Sequence, residues 1–110
     1  MSKNIYLQYR QEREDLQSIE VEGAFATYKF TGEYCYLEDI YTIPELRGSK
    51  ISYELATMVE SAAKKSGYNK MLGSVDINAV NPEISLKACF TQGYKILKLE
   101  GSVIWLSKEI

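Results

Sequence analysis

Residues 36–52, YLEDIYTIPELRGSKIS, decide how the rest of the chain is read. The first half belongs to a run, residues 34–43, of high strand propensity. Simple alternation sets Cys35, Leu37, Asp39, Tyr41 and Ile43 on one face and Tyr34, Tyr36, Glu38, Ile40 and Thr42 on the other. Both faces carry large apolar groups, so the strand is expected to be central and covered on both sides. Pro44 has no N–H to give a ladder and ends it. A helix over about residues 49–66 follows, with Ile51, Leu55, Val59 and Ala62 at helical spacing and Gly67 as its stop. Strand, proline turn, Arg47–Gly48 loop and helix start, in that order, make a phosphate cradle. The first amides of a helix have no carbonyl to bond, and its dipole is positive there. Arg47 and Lys50 add charge, and Gly48 lets backbone approach a ligand closely. Taken alone, the same spacing also fits an ordinary capped helix after a strand.

Outward from that stretch, the elements alternate. Upstream, residues 4–9 alternate Ile5, Leu7 and Tyr9 with Tyr6 and Gln8 and are expected to form a first strand. Residues 11–17 are a charged connection, a wide turn or one helical turn. Residues 19–30 are rich in β-branched and aromatic side chains and read as one strand with Gly23 as a bulge. Thr31, Gly32 and Glu33 suit a hairpin turn. Downstream, residues 71–77 form a strand, and Asn81, Pro82 and Glu83 supply the cap, proline and acidic first turn of a second helix. That helix runs to about Gln92 and Gly93. Residues 94–99 and 102–107 make a final hairpin around Glu100 and Gly101. The expected order is β, β, β, α, β, α, β, β.

Composition excludes several classes of function. The chain has 110 residues, 45% hydrophobic and 25% charged, which suits one globular domain over residues 1–110. It has no histidine, which removes a Ser-His-Asp triad and histidine-ligated zinc. Two cysteines, Cys35 and Cys89, are too few for a cysteine-only zinc site and read as reduced thiols, so no metal is expected. A net charge of −2, without a basic stripe interleaved with aromatics, argues against a nucleic-acid partner. No apolar run reaches the length of a membrane span, and a cytoplasmic location is expected.

Residues 37–52 resemble the central motif of the GNAT superfamily of N-acetyltransferases, in which a strand ends in V-x-P-E-x-R-G-x-G-x-G/A. Thr42, Pro44, Glu45, Arg47 and Gly48 fall in register with it. Asn81 and Pro82, opening a helix that closes with Gln92, Gly93 and Tyr94, are similar to the family's N…Y-x-x-x-G-F element. The resemblance spans residues 19–107. It implies an α/β (α+β) fold: a mixed, mostly antiparallel central sheet with helices packed on it, here with a short N-terminal region. It also implies acetyl-CoA as co-substrate. In the family the strand backbone pairs with the pantetheine arm, and the loop and helix start hold the pyrophosphate. The corresponding positions are Tyr41, Thr42, Ile43, Arg47, Gly48, Ser49, Lys50, Ile51 and Ser52, with Asn81 beside the thioester.

The departures from the family pattern are specific. Lys50 and Ser52 stand where the family has glycines, so side chains either narrow the pyrophosphate site or, for Lys50, reach a phosphate directly. Cys89 stands where members place a tyrosine general acid. A thiol with an ordinary pKa of about 8.5 can protonate a departing CoA thiolate, and a free cysteine is also commonly a small packing residue. Glu38 matches an acidic residue that related polyamine and amino-acid acetyltransferases use near the acceptor amine. Asp39 faces the other way on simple alternation and ranks second; solvated or salt-bridged carboxylates are the plain alternative for both. Tyr34, Tyr36, Tyr41 and Trp105 read first as packing residues. Residues 10–18 supply at most a turn or two where members carry two covering helices. The acceptor site is therefore expected to be open to a protein side chain or completed by a second subunit in a homodimer.

The function implied is acetyl transfer from acetyl-CoA to a primary amine, on a protein or a small molecule. The alternative is a family fold that has lost this chemistry and serves as a binding or inhibitory module, of a kind a phage would encode.

Overall fold

A computed structural model describes residues 5–110. The first element corrects the sequence reading. Ile5–Glu14 is a helix, α1, not a strand; Asn4, the first residue of the expected strand, lies outside the described residues. The Ile5, Leu7, Tyr9 alternation misleads because only Leu7 of this helix is buried, so no apolar stripe at helical spacing is required of the sequence. What favours helix is local: Leu, Gln, Arg and Glu are good helix formers, and Arg10 pairs with Glu14 one turn on at 2.8 Å. Asp15, in the left-handed region at φ 55°, ends it, and Leu16 drops into the interior. The charged connection expected at residues 11–17 is thus largely the end of α1.

The expected strand over residues 19–30 is instead two. Strand β1 (Gln17–Val21) and strand β2 (Ala24–Thr31) pair antiparallel, with Val21 opposite Ala24. Gly23, at φ 80°, makes the turn rather than a bulge. A Cβ there would sit 2.5 Å from the Leu46 side chain, so glycine is also what lets the loop after the next strand close down on this turn. The Ile43 amide donates to the Gly23 carbonyl at 2.9 Å across the same contact.

Strand β3 (Tyr34–Thr42) pairs antiparallel with β2, and the bulge lies here. Thr27 opposes Asp39 and Tyr28 opposes Leu37, leaving Glu38 as the extra residue. One extra residue reverses the alternation. Cys35 and Leu37 therefore share the core face with Ile40 and Thr42, opposite Phe30, Tyr28, Ala26 and Ala24 of β2. Tyr34, Tyr36, Asp39 and Tyr41 share the other face. The sequence assignment of faces holds up to Leu37 and is inverted beyond it. The apparent two-sided burial was the bulge unrecognised.

Helix α2 (Ile51–Lys65) starts two residues later than expected and buries Leu55, Val59 and Ala63 against Ala26, Tyr28, Cys35 and Met71. Each fully buried Leu or Val contributes roughly 1.5–3 kcal/mol. Strand β4 (Lys70–Asp76) follows, alternating buried Met71, Gly73 and Val75 with half-buried Lys70, Leu72 and Ser74 before an exposed Asp76. Helix α3 (Pro82–Thr91) buries none of its residues fully. Asn81 precedes it in the left-handed region at φ 53° and makes no side-chain cap, so the expected Asn81 cap is absent. Strands β5 (Lys95–Glu100) and β6 (Val103–Glu109) close the chain as a hairpin.

Among the described residues the sheet runs β1-β2-β3-β4-β6-β5, antiparallel everywhere except between β3 and β4, which α2 joins as a parallel crossover. The mixed, mostly antiparallel sheet with helices against it matches the expected fold class, with α1 standing at the head of the order in place of a strand.

Candidate functional site

The β3–β4 seam defines the site. β3 pairs with β4 only at Cys35–Met71 and Tyr36–Leu72, although both strands run several residues further. Beyond Tyr36 they part. A hydrogen bond of 2.7 Å between the Tyr36 and Ser74 hydroxyls bridges the two strands near the point of separation. The bulge at Glu38 falls where the pairing stops, and a bulge adds twist and bends its strand, which accounts for the divergence. A cavity of about 350 Å³ occupies the opening. Its walls are Leu37 to Ile40 of β3, Gly73 to Val75 of β4, and Ser85, Ala88 and Cys89 of α3 with Gln92 just past its end, Ser52 and Tyr94 completing them. From Leu37 onward the β4-facing edge of β3 has no strand partner among the described residues, so its backbone groups short of Thr42 are open to an extended ligand.

That free edge leads into the loop singled out from the sequence. Pro44–Leu46 makes a single 3-10 turn. Arg47 donates from Nε to the Thr42 carbonyl at 3.1 Å, with its guanidinium 5.7 Å from the Tyr41 ring. Gly48 takes φ 85°, where an L side chain would be strained, although space for a Cβ is free. Ser49, Lys50 and the Arg47 head are exposed, and α2 opens at Ile51. Ser52 and Thr42 bond through their hydroxyls at 3.0 Å, tying the first turn of α2 to the end of β3. Residues 41–52 thus run from strand edge to helix N-terminus, with Thr42 buried beneath the turn, and the helix start with positive charge from Arg47 and Lys50 suits a phosphate. Ile43 and Ile51 are half-buried supports of that stretch. Asn81, exposed at the start of α3, is not among the residues lining the cavity.

Glu38 and Cys89, from separate elements, line the same cavity. Glu38 is heavily engaged. Oε1 accepts from Arg10 Nη1 at 2.8 Å and from Thr27 Oγ1 at 3.1 Å, and Oε2 accepts from Arg10 Nη2 at 3.0 Å. Arg10 also holds Glu14, and these bonds, Glu14 first and Glu38 second, fix its guanidinium firmly in the charged form. Asp39 has no such partner among the described residues. Asp39 is exposed at its position in β3, and partial loss of solvation there, then the charge of Glu38, move its carboxyl only upward from the ordinary carboxylate range, against a smaller opposing pull from Arg10. Burial raises the Cys89 thiol above its usual value, so the proton stays on sulfur at neutral pH. Cys35, buried on the core face, is pushed up to about 11 for the same reason.

Sequence reasoning missed Arg10 and Tyr94. Arg10 opens residues 10–18, which the sequence reads as supplying at most a turn or two, and nothing local connects it to a residue 28 positions away. Tyr94 was noted only as the close of the second helix. Its hydroxyl is buried without a hydrogen-bond partner among the described residues. Desolvation foremost, with Glu60, Cys89 and Cys35 nearby, drives its pKa well up, so it remains a donor. An orphan hydroxyl on a cavity wall is a feature a bound ligand or an ordered water would satisfy.

A family model described as the acetyltransferase (GNAT) family matches residues 9–84. No curated protein sequence matches the chain significantly. Solved structures share the fold at low identity. The PaiA N-acetyltransferase from Thermoplasma acidophilum, in complex with coenzyme A, superposes with TM-score 0.77 at 19% identity over 94% of this chain and 67% of that one. A GNAT acetyltransferase from Elizabethkingia anophelis with acetyl-CoA bound gives 0.63 at 16%, over 79% of this chain and 68% of its own. The anti-CRISPR protein AcrVA5 gives 0.67 at 14%, over 82% of this chain and 96% of its own length. The chain therefore spans about two thirds of the two acetyltransferases named and nearly all of the anti-CRISPR protein.

Proposed function

This chain belongs to the GNAT acetyltransferase family, and from that premise we propose that it transfers an acetyl group from acetyl-CoA to a primary amine. The observation that carries the proposal is the parting of β3 and β4, which leaves a bare strand edge running into the Arg47–Ser52 turn and a cavity beside it. An extended pantetheine arm would take the free backbone groups of β3 as a strand would. The pyrophosphate would meet the α2 N-terminus and the cations Arg47 and Lys50. The exposed placement of Lys50 supports a reading in which it contacts phosphate rather than blocking the turn.

In this reading the thioester lies in the cavity. The neutral amine attacks its carbonyl carbon, the C–N bond forms and the C–S bond breaks. The amine proton passes to a carboxylate, and the thiolate takes a proton from the Cys89 thiol. Glu38 was the first choice for the base on sequence. Its full set of partners makes Asp39, unpaired and already inclined to hold a proton, the better receiver. Glu38 would then position the β3 bulge through Arg10. Holding amine and thioester together supplies much of the rate, since it removes the entropy of encounter.

The acceptor would be a lysine side chain or N-terminus of a protein. One helix, α1, stands where two cover the acceptor groove on the sequence expectation, which leaves room for a large substrate. Thiol release measured with acetyl-CoA and a lysine-rich peptide, against spermidine as a small-amine control, tests this. Faster turnover with the peptide is expected. Faster turnover with spermidine would overturn the protein-acceptor reading, and binding of acetyl-CoA with no release on any amine would favour the non-catalytic module.

A further inference from the structure

The cavity at the seam joins the two faces of the sheet. Asp39 stands opposite Thr27 on the face away from the core. Leu72 pairs with Tyr36 on that same face, and Ser74, two residues on, shares it. Cys89 and Tyr94 pack on the core face instead. All four line the same cavity. A thioester arriving along β3 from Ser52 meets it between α2 and α3, on the core side. An amine arriving on the other face enters between Asp39 and Ser74, one on each of the parted strands.

Ser74 is held in place. Its hydroxyl lies 2.7 Å from that of Tyr36, in a bond that crosses the seam where strand pairing has ended. Tyr36 is fixed in turn, with its ring centroid 5.8 Å from that of Trp105 and 6.0 Å from Lys29 Nζ. A hydroxyl has one proton and two lone pairs. Whichever oxygen donates, the bond to Tyr36 leaves Ser74 Oγ at least one lone pair.

A primary amine attacks with its lone pair, so its N–H groups must be directed elsewhere. Asp39 is placed to receive the proton that is lost. A second carboxylate free to act from the far side would hold the amine as an ammonium, which cannot attack. Glu38 is answered by Arg10, and across the seam stands a hydroxyl, which accepts an N–H without charging the nitrogen. We propose that Ser74 accepts a hydrogen bond from the acceptor amine and so aims its lone pair at the thioester, with Tyr36 positioning the Ser74 hydroxyl. This assignment rests on the acetyl-transfer reading and adds to it the group that orients the nucleophile.

Steady-state kinetics of the full chain with acetyl-CoA and the lysine-rich peptide test it. Ser74→Ala should lower kcat/KM for the peptide about tenfold or more, with acetyl-CoA affinity by calorimetric titration held within about twofold. Ser74→Thr, which keeps the hydroxyl, should recover most of the loss. Tyr36→Phe should also slow peptide turnover, and the double variant should be no slower than Ser74→Ala alone, because Tyr36 acts only through Ser74. Four results would each overturn the assignment and leave acetyl transfer standing: peptide turnover untouched by Ser74→Ala, an equal fall in acetyl-CoA affinity, no recovery with Ser74→Thr, or losses that multiply in the double variant. A wild type that binds acetyl-CoA and turns over no amine would remove both readings together.

Discussion

At the scale of single residues, the cavity holds two adjacent carboxylates in unequal states. Arg10 and Thr27 meet both oxygens of Glu38, whereas Asp39, exposed, has no such partner among the described residues, and partial desolvation and Glu38 itself raise its pKa. Only a carboxylate free to rotate and to accept can take a proton from an amine. Asp39→Asn should therefore lower turnover by on the order of 10²–10⁴ while acetyl-CoA affinity is retained, measured by steady-state kinetics and titration. The same shift has a stability consequence of fixed sign. The folded state favours protonated Asp39, so its contribution is present at low pH and lost as pH rises through the raised value. Asp39→Asn should then melt higher than wild type at neutral pH, with the difference closing as pH falls below the ordinary carboxylate range. Tyr94 gives a second residue-level test. Its buried hydroxyl has no partner among the described residues, so Tyr94→Phe should stabilise the ligand-free protein by about 1 kcal/mol in urea denaturation. Loss of stability instead would show that water or protein already satisfies that oxygen. Of these residues, Glu38 and Cys89 are candidates on a family resemblance, and both line the same cavity. The state of Glu38 was not legible, because its partner comes from a distant helix.

At the scale of elements, bulges and short helices are what the sequence conceals. α2 was legible because Leu55, Val59 and Ala63 must repeat at helical spacing to be buried. α1 was not, because one buried leucine imposes no period. β3 was legible as a strand, yet its faces were not, since an inserted residue leaves no mark on composition and reverses everything after it. The turn at Gly23 shows a related ambiguity: positive φ serves a bulge and a hairpin equally, and only pairing decides between them. The contact between α1 and the β3 bulge carries the consequence. Arg10→Ala would leave the half-buried Glu38 carboxylate without its cation and loosen α1 from the sheet. It should cost about 1–3 kcal/mol in denaturant unfolding, more than an exposed ion pair is worth. An effect within a few tenths of a kcal/mol would mean that solvent replaces Arg10 and that the bulge needs no such anchor.

At the scale of the whole molecule, two unequal halves meet at the β3–β4 seam. On one side β1, β2, β3 and α2 share a close core around Ala26, Cys35, Leu55 and Val59. On the other, α3 buries no residue fully and β5 lies entirely exposed, with β4, β6 and Tyr94 carrying what core there is. One buried cluster runs through both, from Ala26, Cys35 and Leu55 to Met71, Val75 and Leu106, so β3 and β4 part beyond Tyr36 without dividing the core of this 110-residue chain. The strand edge, the Arg47–Ser52 turn and the cavity then read as one site for one extended molecule. Calorimetric titration with acetyl-CoA, wild type against Arg47→Ala, tests that claim most directly. Saturable binding in the micromolar range, weakened about tenfold or more by the substitution, is the predicted result. No binding at millimolar acetyl-CoA, or equal affinity in both proteins, would contradict the placement of the cofactor along β3 and into the α2 N-terminus.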